Sequence, residues 1–157
     1  MNININYEKK GSGYPLILLH GNGEDYSYFE AQISEFSDYY TVYALDTRGH
    51  GSTPRGKRPF TIRQFAEDLL AFMDEHEIEK ANIFGFSDGG NIAMVFAINH
   101  PERVNKLILN GANADTKGLK AYFQVPTEIF YRISLLGEPF SKRAKKRREL
   151  LELMVKN

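Results

Sequence analysis

The chain has 157 residues, 42% of them hydrophobic, and its 20 basic and 20 acidic side chains cancel. That length and composition fit one globular domain, and the balanced charge argues against a protein built to bind a polyanion over its whole surface. There is no cysteine, which excludes a disulfide framework and a thiolate metal site and fits a reducing compartment.

Met1 to Lys10 is polar and alternating, without the apolar core of a signal peptide. No run of about 18 apolar residues is present. A cytoplasmic protein without a membrane span is therefore expected. Ile3, Ile5 and Tyr7 alternate with polar residues and predict a half-exposed strand. Pro15 to Leu19 is a short apolar run ending in His20-Gly21-Asn22-Gly23, which reads as a buried strand followed by a loop. Tyr28, Phe29, Ile33 and Phe36 recur at helical spacing. Tyr40 to Leu45 predicts a second buried strand, followed by the polar, glycine-rich Asp46-Thr47-Arg48-Gly49-His50-Gly51-Ser52.

Thr61 to Gln64 has the pattern of a capping box, and Ile62, Phe65, Ala66, Leu69, Leu70 and Met73 form the apolar stripe of an amphipathic helix. Ala81 to Phe86 predicts a third buried strand. Gly89 to Ile98 is apolar nearly all round and reads as a buried helix, stopped at Asn99-His100-Pro101. Val104 to Leu109 predicts a fourth buried strand. Strands alternating with helices argue an α/β fold, a doubly wound and mainly parallel sheet with helices on both faces. After Asn110 the pattern changes. Residues 115 to 157 contain Pro126 and Pro139 and are expected to form two or three short helices, with no obvious buried strand in the sequence.

Gly85-Phe86-Ser87-Asp88-Gly89 matches the nucleophile-elbow pattern, between a buried strand and a helix as that motif requires. A sharp turn strains the serine backbone, and the small glycines on either side make room for it. The serine hydroxyl then stands at the C-terminal end of the sheet, where the positive end of the next helix favours developing negative charge. Ester hydrolysis passes through a tetrahedral oxyanion that needs two preorganised donors. The backbone N–H groups of Asp88 and Asn22 are the candidates, the second carried on a glycine-flanked loop.

These three motifs, in this order, together with Pro101-Glu102-Arg103-Val104, resemble the α/β-hydrolase superfamily over roughly residues 3 to 112. The resemblance is to its esterase, lactonase and carbon–carbon hydrolase branches. It implies Ser87 as nucleophile and the backbone N–H groups of Asn22 and Asp88 as oxyanion hole. It also implies a core at 1–114 and the start of a helical cap at 115–157, a small ester-like substrate, and no cofactor.

The family's triad runs serine, acid, histidine along the chain. The only histidine after Ser87 is His100, roughly 20 Å away at the far end of the same helix, whereas a base works within about 3 Å. The sheet is expected to stop after the strand that follows the nucleophile helix, before the family's acid and histidine. Asp115 follows the fourth strand, where some members place their acid. A serine without a base is a poor nucleophile, so little or no turnover is expected of this chain alone. The strand at 104–109 is expected to present a bare apolar edge that invites self-association.

Other residues read as structural. His20 is expected to shape its loop, Asp46 and Arg48 to hold theirs, and the Asp88 side chain to point away from the site. His76 and Glu77 are expected to be solvated. No histidine and carboxylate set has metal-ligand spacing. The basic run at 142–148 reads as the solvated face of a cap helix, so neither nucleic acid nor membrane is expected as a partner. Two functions stand: a hydrolase of small carboxylic esters, or a ligand- or partner-binding protein that keeps the pocket without turnover.

Overall fold

Among residues 3–113, which the computed structural model describes, five short strands form one sheet. They are β1 (Tyr7–Lys10), β2 (Tyr14–Leu19), β3 (Tyr40–Leu45), β4 (Ala81–Phe86) and β5 (Val104–Asn110), and their spatial order is β1-β3-β2-β4-β5. β1 runs antiparallel to β3, and the other pairings are parallel. Three helices connect them: α1 (Glu30–Phe36), α2 (Ile62–Glu75) and α3 (Asp88–Asn99). This is the mainly parallel α/β sheet the sequence implies. The chain divides after Ala112, and the first unit is the one described below. The expected cap at 115–157, Asp115 and the basic run lie outside the described residues.

The central strands are mostly apolar, with Thr41 in β3 and Asn82 in β4 the polar exceptions, because both faces of the sheet are covered there. Leu16, Leu18, Val42 and Ala44 point to one face and pack under Phe29 and Ile33. Leu19 and Leu45 point to the other, where they share a small interior space with Phe65 and Leu69 of α2 and Ile92 of α3. Ile17 and Ile83 are fully buried. Burying an aliphatic side chain of this size is worth about 1.5–3 kcal/mol, so the face of α2 that carries Phe65, Leu69, Phe72 and Met73 fixes that helix on the sheet.

Four local expectations are corrected. Ile3 and Ile5 are buried, but the strand begins only at Tyr7. Asn6 is instead pinned to the loop after β3, donating from its backbone to Thr53 Oγ1 and from its side chain to Asp46. The first helix is split: a 3-10 turn at Tyr26–Phe29, capped by the Asp25 carboxylate on Ser27 N–H, precedes the short α1. The capping box of α2 is half formed. Thr61 accepts from Gln64 N–H at 3.2 Å, but the Gln64 amide donates to Asp68, because an ionised carboxylate is the stronger acceptor. Val104 to Leu109 and α3 are less buried than their composition suggests. Ile108 and Leu109 are 54% and 41% exposed and Ile98 is 72% exposed. Among the described residues β5 pairs only with β4, so an apolar run there does not imply cover on both sides.

Candidate active site

The sheet register brings three loops to one edge. Leu19 lies opposite both Leu45 and Gly85, and Phe86 lies opposite Asn110. The residues that follow β2, β3 and β4 therefore emerge side by side at the C-terminal end of the sheet, where open α/β sheets bind ligands. These are His20, Asp46 and Ser87.

Ser87 turns the chain from β4 into α3 with φ 51° and ψ −117°, a left-handed conformation that costs a non-glycine residue about 1–3 kcal/mol. Its N–H donates to Asn110 O at 2.8 Å and its C=O starts α3 by accepting from Gly90 and Asn91. As the first residue of α3, Asp88 has an N–H with no partner inside the helix. Close packing makes the turn possible. A Cβ on Gly89 would fall on the carbonyl oxygen of Leu19, and a Cβ on Gly21 would come within 3.3 Å of Ser87 Cβ. The loop after β2 thus runs directly against the serine.

Hydrogen bonds hold that loop. Gly21 N–H donates to Glu24 Oε2 at 2.8 Å. His20, 1% exposed, accepts at Nε2 from Thr47 N–H (3.0 Å) and lies with Nδ1 2.7 Å from Gly21 O. The first contact requires a bare Nε2, so Nδ1 carries the proton and donates to Gly21 O. Asp46 gathers three donors at 2.8 Å: Tyr26 N–H, Ser52 N–H and the Asn6 amide. His50 reaches Asn22 Oδ1 across 3.3 Å. One partner escaped the sequence reading. Arg48, fully buried, donates from Nε and Nη2 to the two Asp68 oxygens, each at 2.6 Å, and from Nη1 to Arg55 O. The signal was an acid set beside Leu69 within the apolar stripe of α2.

Burial lowers the His20 pKa below its ordinary 6.5, although the Gly21 carbonyl and Asp46 pull the other way. Burial raises that of Asp88, offset by a hydrogen bond from the Asn91 amide. For His20 the unfolded chain binds the proton more readily than the folded one. Its contribution to stability is thus complete above 6.5 and declines as pH falls from there towards the depressed folded value. Asp88, with its pKa raised, acts in the opposite sense. The denaturation midpoint of His20→Gln should consequently fall less than that of the wild type between about pH 7 and about pH 5. Parallel curves would assign the acid sensitivity elsewhere.

The remaining histidines lie away from Ser87. His100 follows α3 at its far end, with Nδ1 3.9 Å from Glu102. His76 is corrected from solvated to packed, with its ring 4.3 Å from Phe72 and 4.9 Å from Tyr7; Glu77 is exposed. Among the described residues no histidine hydrogen-bonds Ser87 Oγ, and no group of three or more histidines and carboxylates is placed to hold a metal ion. No described helix is long and apolar enough to cross a membrane.

Known proteins share this fold. A family profile for the alpha/beta hydrolase fold matches residues 14–131. The 3-oxoadipate enol-lactonase 2 of Acinetobacter baylyi is 36% identical over 107 residues, which are 67% of this chain and 40% of that protein. A solved esterase from a marine microorganism is 32% identical, with a TM-score of 0.74 covering 98% of this chain and 58% of its own. A meta-cleavage product hydrolase from Pseudomonas fluorescens is 35% identical, with a TM-score of 0.68 covering 70% and 42%. The chain spans less than two thirds of the length of each of these relatives.

Proposed function

The chain belongs to the alpha/beta hydrolase fold family, and on that premise we propose that it carries the nucleophile and oxyanion hole of a serine hydrolase acting on small carboxylic esters or lactones. Ser87 Oγ attacks the carbonyl carbon. The N–H groups of Asn22 and Asp88 receive the oxygen as it becomes negative, helped by the N-terminal end of α3. The observation that carries this reading is the backbone of Ser87, a serine held at φ 51° where glycine would rest without strain. Strain of that kind persists when the surroundings impose it, and it gathers at reactive sites. The names of an esterase and a lactonase among the relatives supply the substrate class.

A base for Ser87 and the acid that orients it come, in this reading, from residues outside 3–113. His20 does not serve. Its Nδ1 and Nε2 are committed to Gly21 O and Thr47 N–H, and its pKa is depressed by burial. Its task is to fix the loop that carries Asn22.

The test is a fluorophosphonate probe on the full chain, scored by intact mass and peptide mapping. Stoichiometric modification at Ser87, absent in Ser87→Ala, is the expected result, and it should be slow where no base assists. Modification elsewhere, or none after prolonged exposure, removes the reading.

A further inference from the structure

Two histidines tie the loop after β2 to the loop after β3, and they act on different groups. His20 holds the backbone at Gly21. His50 holds a side chain: its Nε2 is 3.3 Å from Asn22 Oδ1, while its Nδ1 is 3.0 Å from Arg48 O and 3.0 Å from Thr47 Oγ1. A carbonyl oxygen only accepts, so Nδ1 carries a proton. In neutral His50 the bare Nε2 then accepts from the Asn22 amide NH2, once that amide is turned over. In protonated His50, Nε2 donates to Oδ1. The two groups are complementary in either state.

The imidazole is held firmly enough to act as a reference point. It is 4% exposed. It stacks on Phe60 with centroids 6.0 Å apart and planes 23° apart, and it meets Phe65 and His20 edge-on at 6.4 and 5.2 Å. Phe65 belongs to the buried face of α2, so the ring is tied to the core. Asn22 is in the opposite situation. Gly21 and Gly23 flank it, and Gly23 takes φ 78°, so neither neighbour offers a Cβ whose packing could fix the backbone. The carbonyl end of the Gly21–Asn22 peptide is held by His20 and by Glu24 N–H, and the Asn22 side chain adds a second hold from the Cα end.

We propose that His50 is a positioning residue of the oxyanion hole beside His20: through the Asn22 side chain it helps to aim the Asn22 N–H at the carbonyl oxygen over Ser87. The inference rests on the serine-hydrolase reading. His50 touches neither the substrate nor the reacting atoms in this scheme. It helps to set the direction of a donor, and a displacement of about 1 Å at such a donor is enough to cost about a hundredfold in rate.

Three variants separate this from a role in folding alone. His50→Asn keeps an amide near the Arg48 carbonyl but does not reach Asn22. His50→Gln carries its amide nitrogen about where the imidazole carries Nε2. Asn22→Ala keeps the backbone N–H and removes the side-chain hold. Each is read by the rate of Ser87 phosphonylation in the full chain and by the backbone amide resonance of residue 22. His50→Asn and Asn22→Ala are each expected to slow phosphonylation about tenfold or more, and His50→Gln to recover most of the loss. The double variant His50→Asn with Asn22→Ala should be no slower than the slower single one, because one link has been cut twice. The Asn22 amide resonance should move in His50→Asn and return in His50→Gln.

Losses that multiply in the double variant, or a wild-type rate in His50→Asn, overturn the proposal. Asn22 is half-buried, so Asn22→Ala keeps the test available where His50→Asn fails to fold. A wild-type chain that resists phosphonylation removes the serine-hydrolase reading, and the amide resonance then decides the positioning by itself. An unmoved Asn22 amide in His50→Asn overturns it in that case too.

Discussion

Asp68→Ala is expected to destabilise the protein by about 3–5 kcal/mol, the cost of leaving a buried charge without its partner. Arg48 has no exposed side-chain surface and Asp68 has 6%. The guanidinium meets the carboxylate through two parallel bonds of 2.6 Å, the fork geometry that suits arginine and not lysine. In Asp68→Ala the guanidinium keeps Arg55 O among its acceptors but loses its counter-charge. The control is the double replacement Arg48→Met with Asp68→Leu. A buried ion pair exchanged for apolar groups of similar volume is often close to neutral, so the double variant should lie nearer the wild type than Asp68→Ala alone. Chemical denaturation of the three proteins decides it. A loss below about 1 kcal/mol for Asp68→Ala, the range of exposed pairs, would show that water reaches the site.

The same substitution should reach the chemistry. Arg48 lies in the loop that also carries Thr47 and His50, and those residues hold His20 and Asn22. The pair therefore anchors that loop to α2. At a denaturant-free temperature where Asp68→Ala is still folded, Ser87 phosphonylation should be slower than in the wild type, and the double variant should share the defect if it releases the loop.

Much of this arrangement was legible because it depends on local pattern. β2, β3 and β4 are short apolar runs, and a run buried on both faces leaves that trace wherever it occurs. The Gly85 to Gly89 turn was legible because close packing admits so few residue types. What escaped was partnership. Asp68 reads as one polar position within an amphipathic helix, and nothing local says that an arginine twenty residues earlier in the chain will be buried against it. The capping box went half wrong for the same reason, since Gln64 turned to Asp68. His76 follows α2 among polar residues, yet it packs on Phe72 and Tyr7, because β1 crosses there. β5 shows the converse. Leu107, Ile108 and Leu109 have the composition of a buried strand, but exposure depends on what lies alongside, and composition does not record that. The same holds for the candidate site. Ser87 and the loop of Asn22 are local motifs, whereas the link between Asn22 and His50 spans 28 residues.

Ser87→Gly should be more stable than Ser87→Ala by about 1–2 kcal/mol, while both lose all phosphonylation at this position. The two variants remove the same hydroxyl and differ in one methyl group. In most places alanine would be the more stable, because glycine gives up more backbone freedom on folding, by roughly 0.5–1 kcal/mol. At φ 51° and ψ −117° the order should invert. The strain on any residue with a Cβ is about 1–3 kcal/mol and exceeds the entropic cost to glycine. Alanine keeps the strain that serine bears; glycine releases it. The comparison also tests whether the elbow is imposed by its surroundings. Ser87 N–H is bonded to Asn110 O, and Gly89 is pressed against the end of β2, so the turn cannot relax by moving away. Thermal melts of the two variants give the answer directly. Equal stabilities, or a more stable alanine variant, would mean that the turn opens when the hydroxyl is gone. The strain at Ser87 would then come from the serine side chain, and the packing of the turn would not be its source.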